Sequence, residues 1–364
     1  MRIQTLKEEI RQINDPRRSY GNLRHKLEDI IIIGLMTIIC IGEDFTDMEN
    51  FGVEREDWLK TFLELPNSIP DSDTFRRVFE RINSQELSKC LNNWLDVNRE
   101  KGSVIAIDGK TICGSSNSEH KAYHIVSAWV AENQITLGEI KVDEKSNEII
   151  AVPKLLDMID IEGSIVTADA MSCQKNITKK ITEKKADYVI GLKANQETFH
   201  NDVELYFRDF MQDCNKTVTK EKGHGRIETR EYFLETALSW LHQKPDWTNL
   251  NAIGMVKSTV LEKDVLRQET RFFITSLVDV DDFADSVRKH WSIENQLHWC
   301  LDVVFREDSA KARKDNSPLN MNVLRKNALF LLKHTNMGRI GLRKKMFKAA
   351  LSCSVLERVV FGEK

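Results

Sequence analysis

The order of strand-like and helical segments between residues 104 and 210 constrains the fold of this 364-residue chain more than any other feature. Residues 104–107 (Val-Ile-Ala-Ile) form a short, continuously apolar and mostly β-branched run, which is typical of a buried central strand. The segments that follow favour strands at 123–130 and 135–142, a helix at 151–159, a strand at 164–168, a helix at 176–185, a strand at 187–192 and a helix at 196–210. Three consecutive strands followed by alternating strands and helices predict an α/β fold, in which helices pack on the faces of a mixed sheet.

The regions on either side of this core have a different texture. Residues 1–98 show helical spacing and indicate an N-terminal helical domain, with helices predicted at 30–41, 58–65, 74–82 and 87–97. Residues 99–210 hold the first part of the core, 211–278 a β-rich insertion, and 279–364 the helices that complete the core. Within the insertion, strands are predicted at 229–233, 252–259 and 271–277.

The apolar runs and the cysteines indicate where the protein works. The longest apolar run, residues 30–42, is shorter than the roughly 20 residues that cross a bilayer, so it predicts a buried helix and no membrane partner. The first residues alternate charged and apolar side chains and lack the apolar core of a secretion signal. The seven cysteines include no CxxC pair, which disfavours a zinc ribbon or a disulfide framework. We therefore expect a cytoplasmic protein with reduced thiols.

The charge of the chain is distributed unevenly. The formal net charge is −3, yet residues 306–348 alone carry +9, which leaves −12 for the remainder. This asymmetry indicates a polyanionic partner for the C-terminal part. A solvated helical face would show the same pattern, so both interpretations stay open.

Two acidic residues follow strands of the predicted sheet directly. Asp108 comes after the first central strand and Asp169 after the strand at 164–168. Because burying an unpaired charge is costly, both should lie at the rim of the sheet, and they meet there if the two strands are neighbours. Two carboxylates suit Mg²⁺ or Mn²⁺ better than zinc, and a third from a helix would complete a two-metal site for in-line phosphoryl transfer. The alternative for each acid is an ordinary turn at a strand end, since Asp-Gly favours turns.

Several motifs resemble one enzyme family. Residues 290–299 (HWSIENQLHW), extended by Asp302-Val303 and by residues 305–308 (Phe-Arg-Glu-Asp), closely resemble the third-acid signature of the H-repeat-associated branch of bacterial insertion-sequence DDE transposases. Further matching segments lie at 70–75, 108–110, 168–170, 192–196 and 223–228. The similarity spans nearly the whole chain. It implies an RNase H-like core, preceded by the helical domain associated with that family.

The resemblance also implies an activity and its residues. It makes Asp108, Asp169 and Glu294 the first, second and third catalytic carboxylates, which bind Mg²⁺ or Mn²⁺, with two ions expected. Glu307 and Asp308, nearby acids of the same motif, are the rivals for the third ligand. The 125 positions between Asp169 and Glu294 would contain the β-rich insertion that related transposases place before the glutamate helix. Transposon-end and target DNA would be the partners, and two copies would form the synaptic complex. The protein would act in the bacterial cytoplasm, associated with the nucleoid when bound to DNA.

The sequence departs from the broader family pattern at three positions. That pattern has tyrosine, arginine and lysine around the glutamate, whereas the corresponding residues here are Val287, His290 and Leu301. The roles of those residues in holding the cleaved DNA end are therefore open. The candidates to replace them are His290, His298, Arg306 and Lys311.

Other basic residues are candidates for phosphate contacts. Lys110 and Lys193 follow apolar strands near the presumed active edge. The glycine-flanked segment 223–230, which carries His224, is interpreted either as a DNA-contacting hairpin or as a polar turn. The basic helices after Arg306 suit contacts that do not depend on DNA sequence. Together the predicted DNA-binding residues are Lys110, Lys193, Arg226, Arg230, His290, His298, Arg306, Lys311, Arg313, Arg343 and Lys344.

Two further patterns near the glutamate have alternative interpretations. Zinc binding by His290, His298 and Cys300 is disfavoured, because eight helical positions separate the two histidines by about 12 Å. Trp291 and Trp299, also eight positions apart, are predicted to pack inward on one helix face. Base stacking by either tryptophan is the alternative.

The sequence therefore predicts a transposase that cuts transposon ends and joins them to target DNA, without a covalent protein–DNA intermediate. An RNase H-like nuclease without strand transfer remains an alternative from the same chemistry. A domesticated or inactive DNA-binding protein is an alternative from another class. The presence of all three acids, Asp108, Asp169 and Glu294, argues against inactivity.

Overall fold

The computed structural model describes residues 2–17, 23–96, 100–116, 121–143, 146–223, 225–263 and 265–362. Its N-terminal part consists of α1 (Arg2–Ile10), α2 (Leu27–Ile39), α3 (Phe45–Glu54), α4 (Glu56–Leu59), α5 (Ser72–Arg81) and α6 (Ser84–Leu95). Helix α2 is buried on almost every side, which accounts for its continuous apolar sequence. No helix within the described ranges is both long and apolar enough to cross a membrane.

Two features of this helical region differ from the sequence-based prediction. Helix α3 was not predicted; it begins after Asp44, whose side chain accepts a hydrogen bond from the Asp47 backbone N–H in a capping box. The helix predicted at 58–65 is wrong, because helical structure there is confined to α4. Leu65, just before Pro66, has a positive φ of 41°. Proline sterically disfavours a helical conformation in the residue before it, so the chain turns at this point.

The centre of the molecule is one mixed sheet with the predicted arrangement. Its core elements are β1 (Val104–Ile112), β2 (Tyr123–Val130), β3 (Ile135–Lys141), α7 (Glu148–Met158), β4 (Ile165–Ala168), α8 (Lys175–Glu183), β5 (Asp187–Leu192) and α9 (Glu197–Phe210). The strand order is β3-β2-β1-β4-β5, with β1 antiparallel to β2 and parallel to β4. This is the RNase H-like sheet expected from the sequence.

The β-rich insertion extends the same sheet. It contains β6 (Asn215–Gly223), β7 (Arg226–Glu235), β8 (Ala252–Glu262) and β9 (Val265–Thr275). Strand β9 pairs antiparallel with β5, so the full order is β3-β2-β1-β4-β5-β9-β8-β7-β6. The strands predicted in this region lie within β7 and β8 and largely within β9, whereas β6 was not predicted.

The C-terminal helices connect the sheet to the N-terminal helices. They are α10 (Val280–His290), α11 (Ser317–His334), α12 (Leu342–Leu351) and α13 (Cys353–Phe361). Helix α10 packs across β1 and β4, and α11 contacts both α2 and β3. Almost all of α11 is buried, because it lies between the helical region and the sheet. A single apolar core therefore runs through both parts.

Candidate active site

The sheet places Asp108 and Asp169 side by side. Strands β1 and β4 are parallel neighbours, and their last paired residues are Ile107 and Ala168. Asp169 directly follows β4, whereas Asp108 lies within β1, which continues to Ile112, so the prediction that the first strand ends before Asp108 is wrong. Both residues nevertheless come directly after this paired region. Asp108 is partly buried, whereas Asp169 is exposed. The predicted convergence of the first two acids at a sheet edge is therefore what the structure shows.

Glu294 reaches this edge from the continuation of α10. It lies in a π-helical segment, Ile293–His298, which is followed by a second one, Cys300–Val304. Trp129 on β2 donates a hydrogen bond from its indole Nε1 to Ser292 Oγ at 3.1 Å, which fixes the start of the segment to the sheet. Glu294 is exposed and lines, with Asp108, a cleft of about 760 Å³. Such wide helical turns are frequent at functional sites.

The acids at this edge influence one another electrostatically. The pKa of Asp108 is raised to about 7. Burial is the largest cause, and the negative charges of Asp169, Glu148 and Glu294 add to it. Burial and the charge of Glu148 likewise raise the pKa of Asp169. Like charges in a partly buried place disfavour the ionised forms. A bound cation would relieve this repulsion, so the cleft is suited to one.

The donor atoms at this edge fit a hard divalent cation. Asp108, Asp169 and Glu294 offer carboxylate oxygens, which Mg²⁺ and Mn²⁺ prefer. In the part of the chain that the structure describes, no three His, Cys, Asp or Glu side chains are already grouped closely enough to hold a metal ion. The three carboxylates do not form a closed ligand cage, and Asp169 lines a cavity that adjoins the cleft of Asp108 and Glu294. The carboxylates suit a divalent cation because they offer oxygen donors and because a cation would relieve the repulsion between their charges.

His298 is the nearest histidine to Asp108. Its Nδ1 lies 3.5 Å from Asp108 Oδ2. Burial, together with the charges of Lys326 and Lys110, lowers the pKa of His298 to about 3, so the ring is neutral at physiological pH. The side chain lines the cleft but is largely buried, which limits the phosphate contact predicted for it.

Lys110 and Glu307 belong to a buried ionic network. The Lys110 ammonium lies 2.6 Å from an Asp302 oxygen and 3.0 Å from a Glu307 oxygen. Glu307 is fully buried, accepts a hydrogen bond from Asn322 Nδ2 at 2.7 Å, and lies 3.5 Å from the Arg325 guanidinium. Lys110 is therefore occupied inside the protein, in place of the predicted phosphate contact. Glu307 is likewise unavailable as a third metal ligand.

The other residues singled out around the glutamate are mostly internal. His290 is half-buried, with its Nδ1 2.9 Å from Thr167 Oγ1, and burial lowers the pKa of its ring to about 4. Val287 and Leu301 are buried in the core. The three positions where the broader family pattern has tyrosine, arginine and lysine thus carry side chains that pack inward.

The two tryptophans next to the glutamate do not share one environment. Trp291 is half-buried beneath the Arg271 guanidinium, whose carbon lies 4.5 Å from the ring centroid. Trp299 is 55% exposed and lines the cleft, so the prediction that it packs inward is wrong. The prediction assumed regular helical spacing, whereas the π-helical turns between the two residues contain extra residues per turn and rotate Trp299 outward.

The lining of the cleft is rich in arginine. It contains Arg226 and Arg230 on β7, as predicted from the glycine-flanked segment, and also Arg271 and Arg288, which sequence reasoning missed. Arg230 pairs with Glu228 at 2.5 Å. His224 of the same segment lies outside the described residues. The signal for Arg271 was present only in the pairing of β9 with β8, and Arg288 lies on α10.

Lys193 lies in an adjoining cavity. This cavity, of about 260 Å³, also contains Asp169 and His290, and it shares Arg271 and Trp291 with the main cleft. Lys193 is exposed, and its positive charge acts on Asp169. Of the two lysines predicted at the active edge, Lys193 is thus the one with an accessible ammonium group.

The basic segment after Arg306 is only partly a surface feature. Lys326 is buried and pairs with Glu139, Arg325 is buried beside Glu307, and Lys345 donates to the backbone carbonyls of residues 332, 333 and 335. Lys333 is half-buried and donates to the Gln296 carbonyl at 2.9 Å. The exposed members are Arg306, Lys311, Arg313, Lys314, Arg339, Arg343, Lys344 and Lys348. Arg306 pairs with Glu43 at 3.0 Å, and Arg313 Nε donates to the Gly114 carbonyl at 3.1 Å.

Fold and site together define a class of protein. An RNase H-like sheet that places two acids on neighbouring strands, with a helical glutamate lining the cleft next to the first of them, is the arrangement of a DDE-type core. Residues 99–331 match the family model described as "Transposase DDE domain", and residues 7–95 match the one described as "DDE_Tnp_1-associated".

Similar proteins agree along the full length of the chain. "Putative transposase YncI" of Escherichia coli O157:H7 is 36% identical, with 99% of this chain and 95% of that protein covered. "H repeat-associated putative transposase YhhI" of Escherichia coli strain K12 is 34% identical, with 100% and 99% covered. The chain therefore belongs to the DDE transposase family, in its H-repeat-associated branch.

Proposed function

We propose that this transposase cleaves DNA strands at the ends of an insertion sequence and joins the released ends to target DNA. Asp108, Asp169 and Glu294 are the proposed catalytic carboxylates and hold two Mg²⁺ or Mn²⁺ ions. The observation that carries this proposal is the placement of Asp108 and Asp169 directly after the paired residues of the neighbouring strands β1 and β4, with Glu294 lining the same cleft as Asp108. Bound ions would activate the attacking oxygen and stabilise the leaving oxygen.

The chain itself contributes orientation and charge. The pairing of β1 with β4 holds the two aspartates at fixed positions, Asp108 within β1 and Asp169 directly after β4, and the segment of Glu294 approaches from the side of α10. The arginines that line the cleft, Arg226, Arg230, Arg271 and Arg288, would contact DNA phosphates. Exposed Lys193 would extend these contacts past Asp169. DNA is thus the proposed partner, and two copies of the chain would bring two transposon ends together.

The attacking groups are proposed to be water in cleavage and a DNA 3′-hydroxyl in strand transfer. Cys113 is a largely exposed nucleophilic side chain in the cleft. Partial desolvation of its thiol and the negative charge of the neighbouring Asp308 raise the pKa of the thiol. The neutral thiol is a weak nucleophile. This supports a direct displacement at phosphorus, without a covalent protein–DNA intermediate.

One assay separates the proposed function from the nuclease alternative. The protein is incubated with labelled DNA that contains the insertion-sequence end, together with a supercoiled target plasmid. A transposase yields both nicked ends and joined products. Cleavage without any joined product, under conditions in which a pre-cleaved end is supplied, would establish the nuclease instead. Binding without either reaction would establish the inactive DNA-binding protein.

The oxygen-only donor set predicts the metal requirement. DNA cleavage should require Mg²⁺ or Mn²⁺ and should stop when EDTA is added, because the three carboxylates suit hard cations. Cleavage is measured with each metal added singly to the metal-free protein. Full activity in EDTA, or restoration by Zn²⁺ alone, would contradict the proposed site.

The exposed cations near the C-terminus predict contacts that do not depend on DNA sequence. Neutralising Arg339, Arg343, Lys344 and Lys348 should weaken binding of all duplexes alike, and each lost phosphate contact should reduce the slope of log K against log salt by about 0.9. Binding is measured by fluorescence anisotropy at several salt concentrations.

The matched control removes the same charge elsewhere. Lys154, Lys175, Lys179 and Lys185 are exposed on or near α7 and α8, and their neutralisation should leave the slope unchanged. Equal slopes for the wild type and the C-terminal variant would identify that cluster as an ordinary solvated face.

A further inference from the structure

A fourth carboxylate, Glu148, lies at the edge of the sheet next to Asp108. It is the first residue of α7, whose start is fixed because the Asn147 side chain accepts a hydrogen bond from the Ile150 backbone N–H. Glu148 also acts on the proposed site electrostatically. Its negative charge contributes to the raised pKa of both Asp108 and Asp169. The family motifs quoted above do not include this residue.

Glu148 is held in one orientation by a histidine. His124 Nε2 donates to Glu148 Oε1 at 2.6 Å, and Thr111 Oγ1 hydrogen-bonds the other ring nitrogen, Nδ1, at 3.0 Å. His124 and Thr111 are paired residues of β2 and β1, so the chain of hydrogen bonds is anchored on the same strand as Asp108. Carboxylates that bind metal ions are commonly oriented by such a second hydrogen-bonded group.

Gly109 provides the space that this carboxylate occupies. A Cβ on Gly109 would lie 2.2 Å from Glu148 Oε1 and 2.7 Å from His124 Nε2, which is closer than real Cβ atoms approach. The glycine is not required by its backbone, because Gly109 is absent from the residues with positive φ. Gly109 therefore lets Glu148 approach the strand at the residue next to Asp108, from the face of β1 opposite to the Asp108 side chain.

We propose that Glu148, oriented by His124, is a further carboxylate of the metal site and contributes to the affinity for the divalent ion. This inference rests on the proposed function, since it concerns the same cleft. Asp108 and Glu294 line that cleft, while Glu148 approaches from α7 beside Gly109. The other three carboxylates do not enclose a metal ion completely. Glu148 would add a further negative charge and a further oxygen ligand.

The inference is tested by metal affinity, measured without DNA. Mn²⁺ binding to the full chain is followed by isothermal titration calorimetry and by the electron paramagnetic resonance signal of free Mn²⁺. Glu148→Gln should weaken the affinity by about tenfold or more, which is the usual scale for groups that support a metal site. Asp157→Asn is the matched control, because Asp157 lies near the other end of α7 and carries the same charge in an exposed position. The Mn²⁺ affinity of the Asp157→Asn variant should stay within about twofold of that of the wild type.

His124 provides an independent arm, as a positioning residue. His124→Ala should weaken Mn²⁺ binding less than Glu148→Gln does, and His124→Gln, which retains a donor near the position of Nε2, should restore it. Metal-free melting temperatures identify any variant that fails to fold. In that case Glu148→Asp, which keeps the charge but withdraws the carboxylate from His124, should still weaken binding.

Asp108→Asn separates the two proposals. If Asp108→Asn leaves Mn²⁺ affinity unchanged, the proposed metal site itself is wrong. If Asp108→Asn weakens binding while Glu148→Gln matches the Asp157→Asn control, only the role of Glu148 is overturned. Weakening by both Asp108→Asn and Glu148→Gln supports both proposals.

Discussion

Glu294→Gln is expected to lower DNA cleavage by about a thousandfold or more while leaving the fold and DNA binding nearly unchanged. Glutamine keeps the volume and a hydrogen-bonding oxygen but removes the negative charge. The stabilisation by a bound ion amounts to several kcal/mol, and about 1.4 kcal/mol corresponds to each factor of ten in rate. Because Glu294 is exposed in the cleft, the substitution leaves no buried group without its partner. Single-turnover cleavage of labelled end DNA measures the effect.

Asp308→Asn provides the contrast for this experiment. Asp308 belongs to the same motif as Glu294, is exposed, and lines the same cleft, which makes it the remaining rival for the third carboxylate. It lies 3.9 Å from the Lys110 ammonium, which already carries two closer partners. We expect Asp308→Asn to cleave within about tenfold of the wild type. Normal cleavage by Glu294→Gln together with loss in Asp308→Asn would move the assignment to Asp308.

The central sheet could be predicted because its strands carry their signal locally. The strands at 123–130 and 187–192 have the predicted bounds, since apolar and β-branched residues dominate them. The positions of Asp108 and Asp169 were inferred from two other apolar runs, residues 104–107 and 164–168. Their convergence required one further assumption, that β1 and β4 are neighbours, which the register of Ile107 and Ala168 confirms.

Features that depend on distant pairing could not be predicted. Strand β6 is mostly exposed and carries charged residues at several positions, so its sequence shows no apolar alternation. It is a strand because its backbone pairs with β7 along the whole of its length. The insertion joins the core sheet because β9 pairs with β5. No local sequence pattern encodes this pairing.

The candidate site shows the same division. Asp108, Asp169 and Glu294 were found from strand ends and a motif, whereas Glu148 was missed because its partner His124 lies 24 positions away in the chain. The network of Lys110 was missed for the same reason, because its acidic partners lie 192 and 197 positions away. Strand alternation was the one sequence signal for the position of Lys110. It places the Lys110 side chain on the same face of β1 as Asp108, two residues further along the strand.

Glu307→Ala is expected to lower the free energy of unfolding by about 3–5 kcal/mol, the usual cost of removing one partner of a buried ion pair. Burial alone would raise the pKa of Glu307, but the charges of Arg325 and Lys110 and the hydrogen bond from Asn322 outweigh it and hold this pKa below its usual range. The carboxylate is therefore ionised inside the protein. Its removal leaves the two cations buried without their shared counter-charge. Urea unfolding, followed by tryptophan fluorescence, measures the loss.

Glu162→Ala is the control for Glu307→Ala, because it removes an ion pair of the opposite kind. Glu162 pairs with Lys185 at 3.1 Å, and both side chains are exposed, so its loss should change stability by less than about 1 kcal/mol. The two variants also decide between a structural role and a metal-binding role for Glu307, the glutamate of the Phe-Arg-Glu-Asp motif. A structural Glu307 predicts a large loss of stability, with cleavage retained at temperatures where the variant is folded. If Glu307→Ala were as stable as Glu162→Ala but inactive, Glu307 would have to reach the cleft as a ligand, and its pairing with Lys110 and Arg325 would have to break during catalysis.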